Sequence, residues 1–151
     1  MVLTVSLPSE YPFVLVATTI VPFVANMCMG GLVMAARKRC EVPYPNLYAT
    51  PGFHKNAEEF NRVQRGHQSM FETMPNMVIM ALVGGITYPL ATTACAVMYS
   101  LGNFLYLIGY SDMNLNVRNA RYMRGGGLKQ VGLYGCFLTC CGAIWTLLQQ
   151  T

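Results

Sequence analysis

Long tracts of the chain lack charged side chains, and their spacing predicts the elements. Tyr11 to Ala36 carry no charge and include IVPFVANMCMGGLVMAA. That is enough for one helical crossing of a hydrocarbon core about 30 Å thick. Pro22 is expected to kink this helix, and Gly30-Gly31 to let a neighbour pack closely. Arg37-Lys38-Arg39 end the span, and a polar stretch to about Glu59, punctuated by Pro43, Pro45, Pro51 and Gly52, reads as a structured loop. A helix opening at Glu58, Glu59, Arg62 and Arg65 then runs into MPNMVIMALVGGI. Between Glu72 and Asp112 lie 39 residues without a formal charge. As helix they would extend roughly 58 Å, about two bilayer cores, so the pattern requires a hairpin. Thr87-Tyr88-Pro89 is its expected place, because proline disfavours helix in the residue before it. A last apolar stretch runs from Gln130 to Leu148. The expectation is an all-α, four-helix transmembrane bundle forming a single domain over 1–151, with spans at about 11–36, 60–86, 90–110 and 129–148.

Composition supports lipid as part of the solvent. The chain is 54% hydrophobic and only 11% charged, against roughly 25% charged in a soluble domain. The first apolar run lacks the basic flank and small-residue cleavage site of a signal peptide, so it is expected to be retained as a span. The net charge of +4 is too modest to suggest nucleic acid as a partner. Its placement says more. All ten Lys and Arg residues fall in 37–65 and 118–129, the two long loops and their helix ends. By the positive-inside rule those loops are cytoplasmic and both termini are not.

Of six cysteines, only Cys40 lies in a polar segment, and none shows the paired spacing of a zinc site. They read as small hydrophobes, and no metal is expected.

The start of the second helix carries the candidate chemistry. Arg62, Arg65, Ser69 and Glu72 fall on one helical face, with Gln68 beside it. Charges entering a membrane are costly unless they pair or face a polar cavity, so a structural ion pair and a polar ligand site both fit. Asn103, Tyr106 and Tyr110 share a face of the third span, where an interfacial aromatic belt is the plainer reading. Guanidinium groups match carboxylates and a glutamate matches an ammonium, so the combined set suits a zwitterion with more than one carboxylate.

The run Phe60-Asn61-Arg62-Val63-Gln64-Arg65-Gly66-His67-Gln68, continuing through Glu72 and Pro75, resembles the signature of the MAPEG superfamily, membrane proteins of eicosanoid and glutathione metabolism. Ala36 to Arg39, Val42-Pro43-Tyr44-Pro45, Leu47-Tyr48, Gly84-Gly85 and Tyr106 to Gly109-Tyr110 are similar to its microsomal glutathione S-transferase 3 branch. The resemblance covers nearly the whole chain. It implies a homotrimer with glutathione as co-substrate between subunits at the cytoplasmic side. Arg37 and Arg65 would hold glutathione carboxylates and Glu72 its amino group; His67, Ser69, Tyr106 and Tyr110 would line the pocket. An Arg after the third span would stabilise the thiolate, a role that falls to Arg118 or Arg121. Two positions depart from the family pattern: Asn103 stands where an Arg is usual, and Ser69 where an Asn is usual.

The function so implied is a membrane-bound glutathione transferase or peroxidase acting on hydrophobic electrophiles or lipid hydroperoxides, in the endoplasmic reticulum or a mitochondrial membrane. The competing reading, favoured by Asn103, is a non-catalytic protein of the same fold that binds lipid or serves as an accessory subunit of a larger membrane complex. A channel or transporter fits poorly, since no ionisable residue lies midway along a span.

Overall fold

The computed structural model describes residues 6–150, and among these there is no β-strand. Seven α-helices follow in order: α1 Tyr11–Thr18, α2 Ile20–Arg39, α3 Ala57–Phe71, α4 Met74–Gly84, α5 Pro89–Ser111, α6 Val117–Ala120 and α7 Leu128–Leu148. Three segments are long and apolar enough to cross a membrane: Tyr11–Arg39, Pro89–Ser111 and Leu128–Leu148.

The first of these is one apolar rod bent at Thr19 (φ −115°, ψ −66°). Pro22 lacks an N–H and crowds the carbonyl four residues earlier, that of Thr18. The hydroxyls of Thr18 and Thr19 also donate back to the carbonyls of Val14 (2.8 Å) and Leu15 (2.6 Å), a bonding that bends helices. The bend therefore falls three residues before the proline that causes it.

The second expected span is not one helix. α3 stops at Phe71 and α4 begins at Met74, with Thr73 outside helical geometry (φ −122°, ψ −12°). Pro75 cannot donate to the Phe71 carbonyl, which removes the bond that would have joined the two. Side chains from other helices stitch the break. Tyr99 donates to the Met70 carbonyl (2.9 Å), and its hydroxyl lies 2.8 Å from Thr73 Oγ1. α3 is polar with a buried stripe and α4 is apolar, so the break separates two chemistries. The turn joining α4 to α5 occupies residues 85–88.

Packing is closest between α5 and α7. A Cβ on Gly102 would stand 2.0 Å from the Lys129 nitrogen, and one on Gly132 2.3 Å from the Tyr99 nitrogen, so the backbones touch there. Small residues at such crossings replace the hydrophobic drive that lipid does not supply. Met77, Ala81, Ala96, Tyr99 and Cys136 fill the core beside this seam. The exposed Phe13, Phe23, Ile79, Leu138 and Trp145 leave an apolar outer surface.

The loop after α2 is tied down rather than loose. Arg39 pairs with Glu59 at 2.5 Å. Asn61 clasps Ala49 from both sides, accepting from its N–H (2.7 Å) and donating to its carbonyl (2.9 Å). Asn61→Ala strands both groups of a buried residue, and we expect a loss of about 2 kcal/mol. Thermal unfolding in detergent checks this; an unchanged midpoint would show that the clasp is incidental. Cys40 is buried in the same cluster, and burial pushes its thiol above its ordinary range, with the Glu59 carboxylate adding to the effect. It is a packing residue, not a nucleophile.

Candidate functional site

The two arginines of the α3 face do different work. Arg62 is buried and its bonds are internal: to Glu58 at 2.7 Å and to the carbonyls of Asp112 (3.1 Å) and Leu115 (3.2 Å). It fastens α3 to the segment after α5. Arg65, one turn on, is 44% exposed and pairs through both guanidinium nitrogens with Glu72, itself 46% exposed. This pair is half-wet and reachable by a ligand that brings a carboxylate for the arginine and an ammonium for the glutamate.

Arg65 lies on the wall of an open cavity of about 630 Å³, with Tyr48, Pro51, Asn61, Arg62 and Tyr110. That volume lies within the range of small-molecule sites, about 300–1,000 Å³. The Tyr106 and Tyr110 rings stack at 5.6 Å, so the aromatic pair of α5 forms one surface. Tyr106 is buried, and the Lys129 ammonium lies 5.2 Å from the centre of its ring. Ser69 is itself buried and is bonded from behind by Lys129.

Four other expected site residues lie apart. Arg37 is spent on its own loop: it donates to the carbonyls of Asn46 (2.8 Å) and Val42 (3.3 Å), and stacks on Tyr44 and Phe60 at 4.7 and 4.9 Å. It lines a separate cavity with Met34, Lys38 and Tyr44, which shares no residue with that of Arg65. His67 points to the opposite side of α3, where its Nε2 meets Asn26 Oδ1 at 2.7 Å. Asn103 is fully buried in the bundle; its amide donates to the Tyr99 carbonyl (2.8 Å), and its Oδ1 has no partner. Arg118 is exposed on α6, next to Val117 at the cavity wall. Arg121, the other candidate thiolate-stabilising arginine, is also exposed and stands over its neighbour Tyr122, 6.0 Å from the ring centre.

Three contributors were not named from sequence as site residues. Tyr48 lines the cavity and donates to Gln68 Oε1; no periodicity links a loop tyrosine to a helix. Gln68 itself could be placed only beside the face. Lys129 looked like one more basic residue at a membrane face, and only the fold turns it inward. Beyond the cavity, Arg124 pairs with Asp112 at 2.5 Å, and Asn114 donates its N–H to the same carboxylate (3.0 Å). These bonds hold the Asp112 carboxyl below its usual range and order the segment leading to α6.

A model of the MAPEG family matches residues 15–147 of the chain.

Proposed function

The chain belongs to the MAPEG family, and from that premise we propose that it is a membrane-bound glutathione transferase or peroxidase of the microsomal glutathione S-transferase 3 kind. Family membership and three apolar helices make it an integral membrane protein. The broken rod α3–α4 serves as a fourth crossing in this reading, with the two basic loops at the cytoplasmic face. The endoplasmic reticulum or a mitochondrial membrane would house it.

The observation that carries the proposal is the half-exposed Arg65–Glu72 pair beside a cavity backed by stacked tyrosines. Glutathione has two carboxylates, one ammonium and one thiol, and the pair supplies a partner for each kind of charge. Arg65 would hold a carboxylate and Glu72 the amino group, while Tyr106 and Tyr110 line the approach. A free thiol ionises with pKa near 8.5, and a guanidinium alongside lowers that value. Arg121, with Arg118 close to the rim, would stabilise the thiolate. The thiolate then attacks an electrophilic carbon, or takes the distal oxygen of a hydroperoxide to leave the alcohol and a sulfenic acid, which a second glutathione converts to the disulfide with release of water.

Arg37 and Arg65 line separate cavities of one chain. In the homotrimer proposed here, a ligand at the subunit boundary would meet Arg37 of one chain and Arg65 of its neighbour. His67, turned toward α2, would reach glutathione only indirectly through Asn26, and Asn103 would act on the bundle rather than on the ligand. The second reading, a non-catalytic lipid-binding or accessory subunit, draws on the burial of Asn103, which leaves the cavity without an arginine from that position.

Glutathione binding by calorimetry on detergent-purified protein, with hydroperoxide reduction measured on the same sample, separates the two. Binding with turnover supports the enzyme. Binding without turnover favours the accessory reading with a retained site, and absence of both removes glutathione from the account.

A further inference from the structure

The connector between α5 and α7 does not stand clear of the apolar helices; it folds back along one of them. A Cβ on Gly109 would stand 2.7 Å from the Ala120 carbonyl oxygen and 2.9 Å from that of Met123. One on Gly126 would stand 3.0 Å from the Tyr106 Cα. The backbone of 120–126 therefore lies beside the end of α5, reaching down to Tyr106, roughly 8 Å below Ser111 along the axis. α5 has 23 residues, roughly 34 Å of helix against a hydrocarbon core of about 30 Å. Its end meets the headgroups, and the connector is held at that level.

What it presents there is both apolar and cationic. Tyr122 is 58% exposed, and Met123 beside it is exposed as well. Arg118, Arg121 and Arg124 recur every three residues, and 113–151 contain no acidic residue. Arg118 and Arg121 form no ion pair among the described residues. Arg124 donates through Nη2 to Asp112 (2.5 Å), yet its side chain is 57% exposed. A guanidinium has five N–H donors, so those that do not reach Asp112 remain for a second anion. The backbone turns through the left-handed region at Arg124 (φ 55°) and Gly125 (φ 87°), a conformation uncommon for a long side chain. That turn returns Gly126 to α5 and leaves the Arg124 side chain facing out.

We propose that this connector binds the phosphate headgroup of an anionic phospholipid, with Arg124 as the principal contact and Tyr122 and Met123 seated among the upper acyl carbons. A guanidinium matches phosphate in bidentate fashion. A tyrosine, apolar in its body and polar at its tip, suits the boundary between headgroups and chains. The lipid meets all three features of the surface: its charge, its exposed apolar side chains and its level along α5. A soluble anion meets only the first. Arg118 and Arg121 add to the attraction whichever of them serves a thiolate, and the inference does not depend on the glutathione reading.

Native mass spectrometry of the full chain, released from an uncharged detergent loaded equally with dioleoylphosphatidylglycerol and dioleoylphosphatidylcholine, tests this. The parent should retain the anionic lipid in preference to the zwitterionic one, and Arg124→Gln should reduce that preference by about fivefold, the effect of one arginine at an anionic surface. Asp112→Asn separates headgroup binding from a structural role of the ion pair. It keeps an acceptor for Arg124 and removes the opposing charge, so the preference should hold or rise. A parent without preference overturns the proposal, and so does an unchanged preference in Arg124→Gln. An equal fall in both variants overturns it too, since loss of a merely structural pair would cause that. Should Arg124→Gln not fold, Asp112→Asn decides alone, and a fall there sinks the idea. Excess glycerol 1-phosphate should leave the lipid bound; displacement would make this a site for soluble anions and overturn the membrane assignment.

Discussion

Arg65→Ala should weaken glutathione binding by about 100-fold while leaving the protein nearly as stable as before. The two halves of that result come from the same geometry. The Arg65–Glu72 pair is close to half exposed on both sides, and exposed ion pairs contribute only about 0–1 kcal/mol to stability. A ligand carboxylate that closes over the guanidinium excludes water from the contact, and truncating one partner of such a pair costs about 2–5 kcal/mol of binding. Arg62→Ala should show the reverse. It strands the carbonyls of Asp112 and Leu115 and frees the segment after α5, so the melting midpoint falls before any binding is measured. Calorimetry and thermal unfolding on both variants distinguish the roles. Unchanged glutathione affinity in Arg65→Ala would remove this face from the site.

Gly102→Val should prevent accumulation of folded protein. Even the first carbon of the new side chain would lie 2.0 Å from the Lys129 nitrogen and 2.6 Å from the Leu128 carbonyl carbon. Backbone cannot rotate out of the way as a side chain can, so α5 and α7 must separate along their closest contact. Core overpacking alone costs about 1–3 kcal/mol; here the lost helix contact and the displaced Lys129 add to it. We expect loss of the monodisperse peak in detergent size exclusion, and Gly31→Val serves as control because nothing lies within 4 Å of its added carbon. A folded Gly102→Val protein with an intact Lys129–Ser69 contact would mean that the seam is slack.

Charge spacing made the apolar segments legible in the sequence, because uncharged runs of such length have few other uses. The break at Glu72–Thr73 was hidden, although Pro75 was in view, because a proline in a helix's first turn and one that interrupts a helix look alike before tertiary contacts are known. At the site, the face of Arg62, Arg65, Ser69 and Glu72 followed from helical period. Which arginine is anchored and which is available did not, since the partners of Arg62 lie 50 and 53 residues away in sequence. Tyr106 and Tyr110 follow the same logic on α5. His67 lies in the run that resembles the family signature and Arg37 upstream of it, yet their contacts run to Asn26 and Tyr44, which local pattern does not encode.

The interruption between α3 and α4 also bears on the bilayer itself. α4, Met74–Gly84, has 11 residues, roughly 16 Å of helix, about half of a hydrocarbon core. Lipid that met this element directly would have to thin, or the polar end of α3 would have to sink below the headgroups. If the broken rod α3–α4 is the fourth crossing proposed above, hydrophobic mismatch would be built into its side of the bundle, next to Arg65 and Glu72. On that reading acyl-chain length becomes a variable of the site: shorter chains would relieve the mismatch and bring water to the pair, and longer ones would press it toward a drier state.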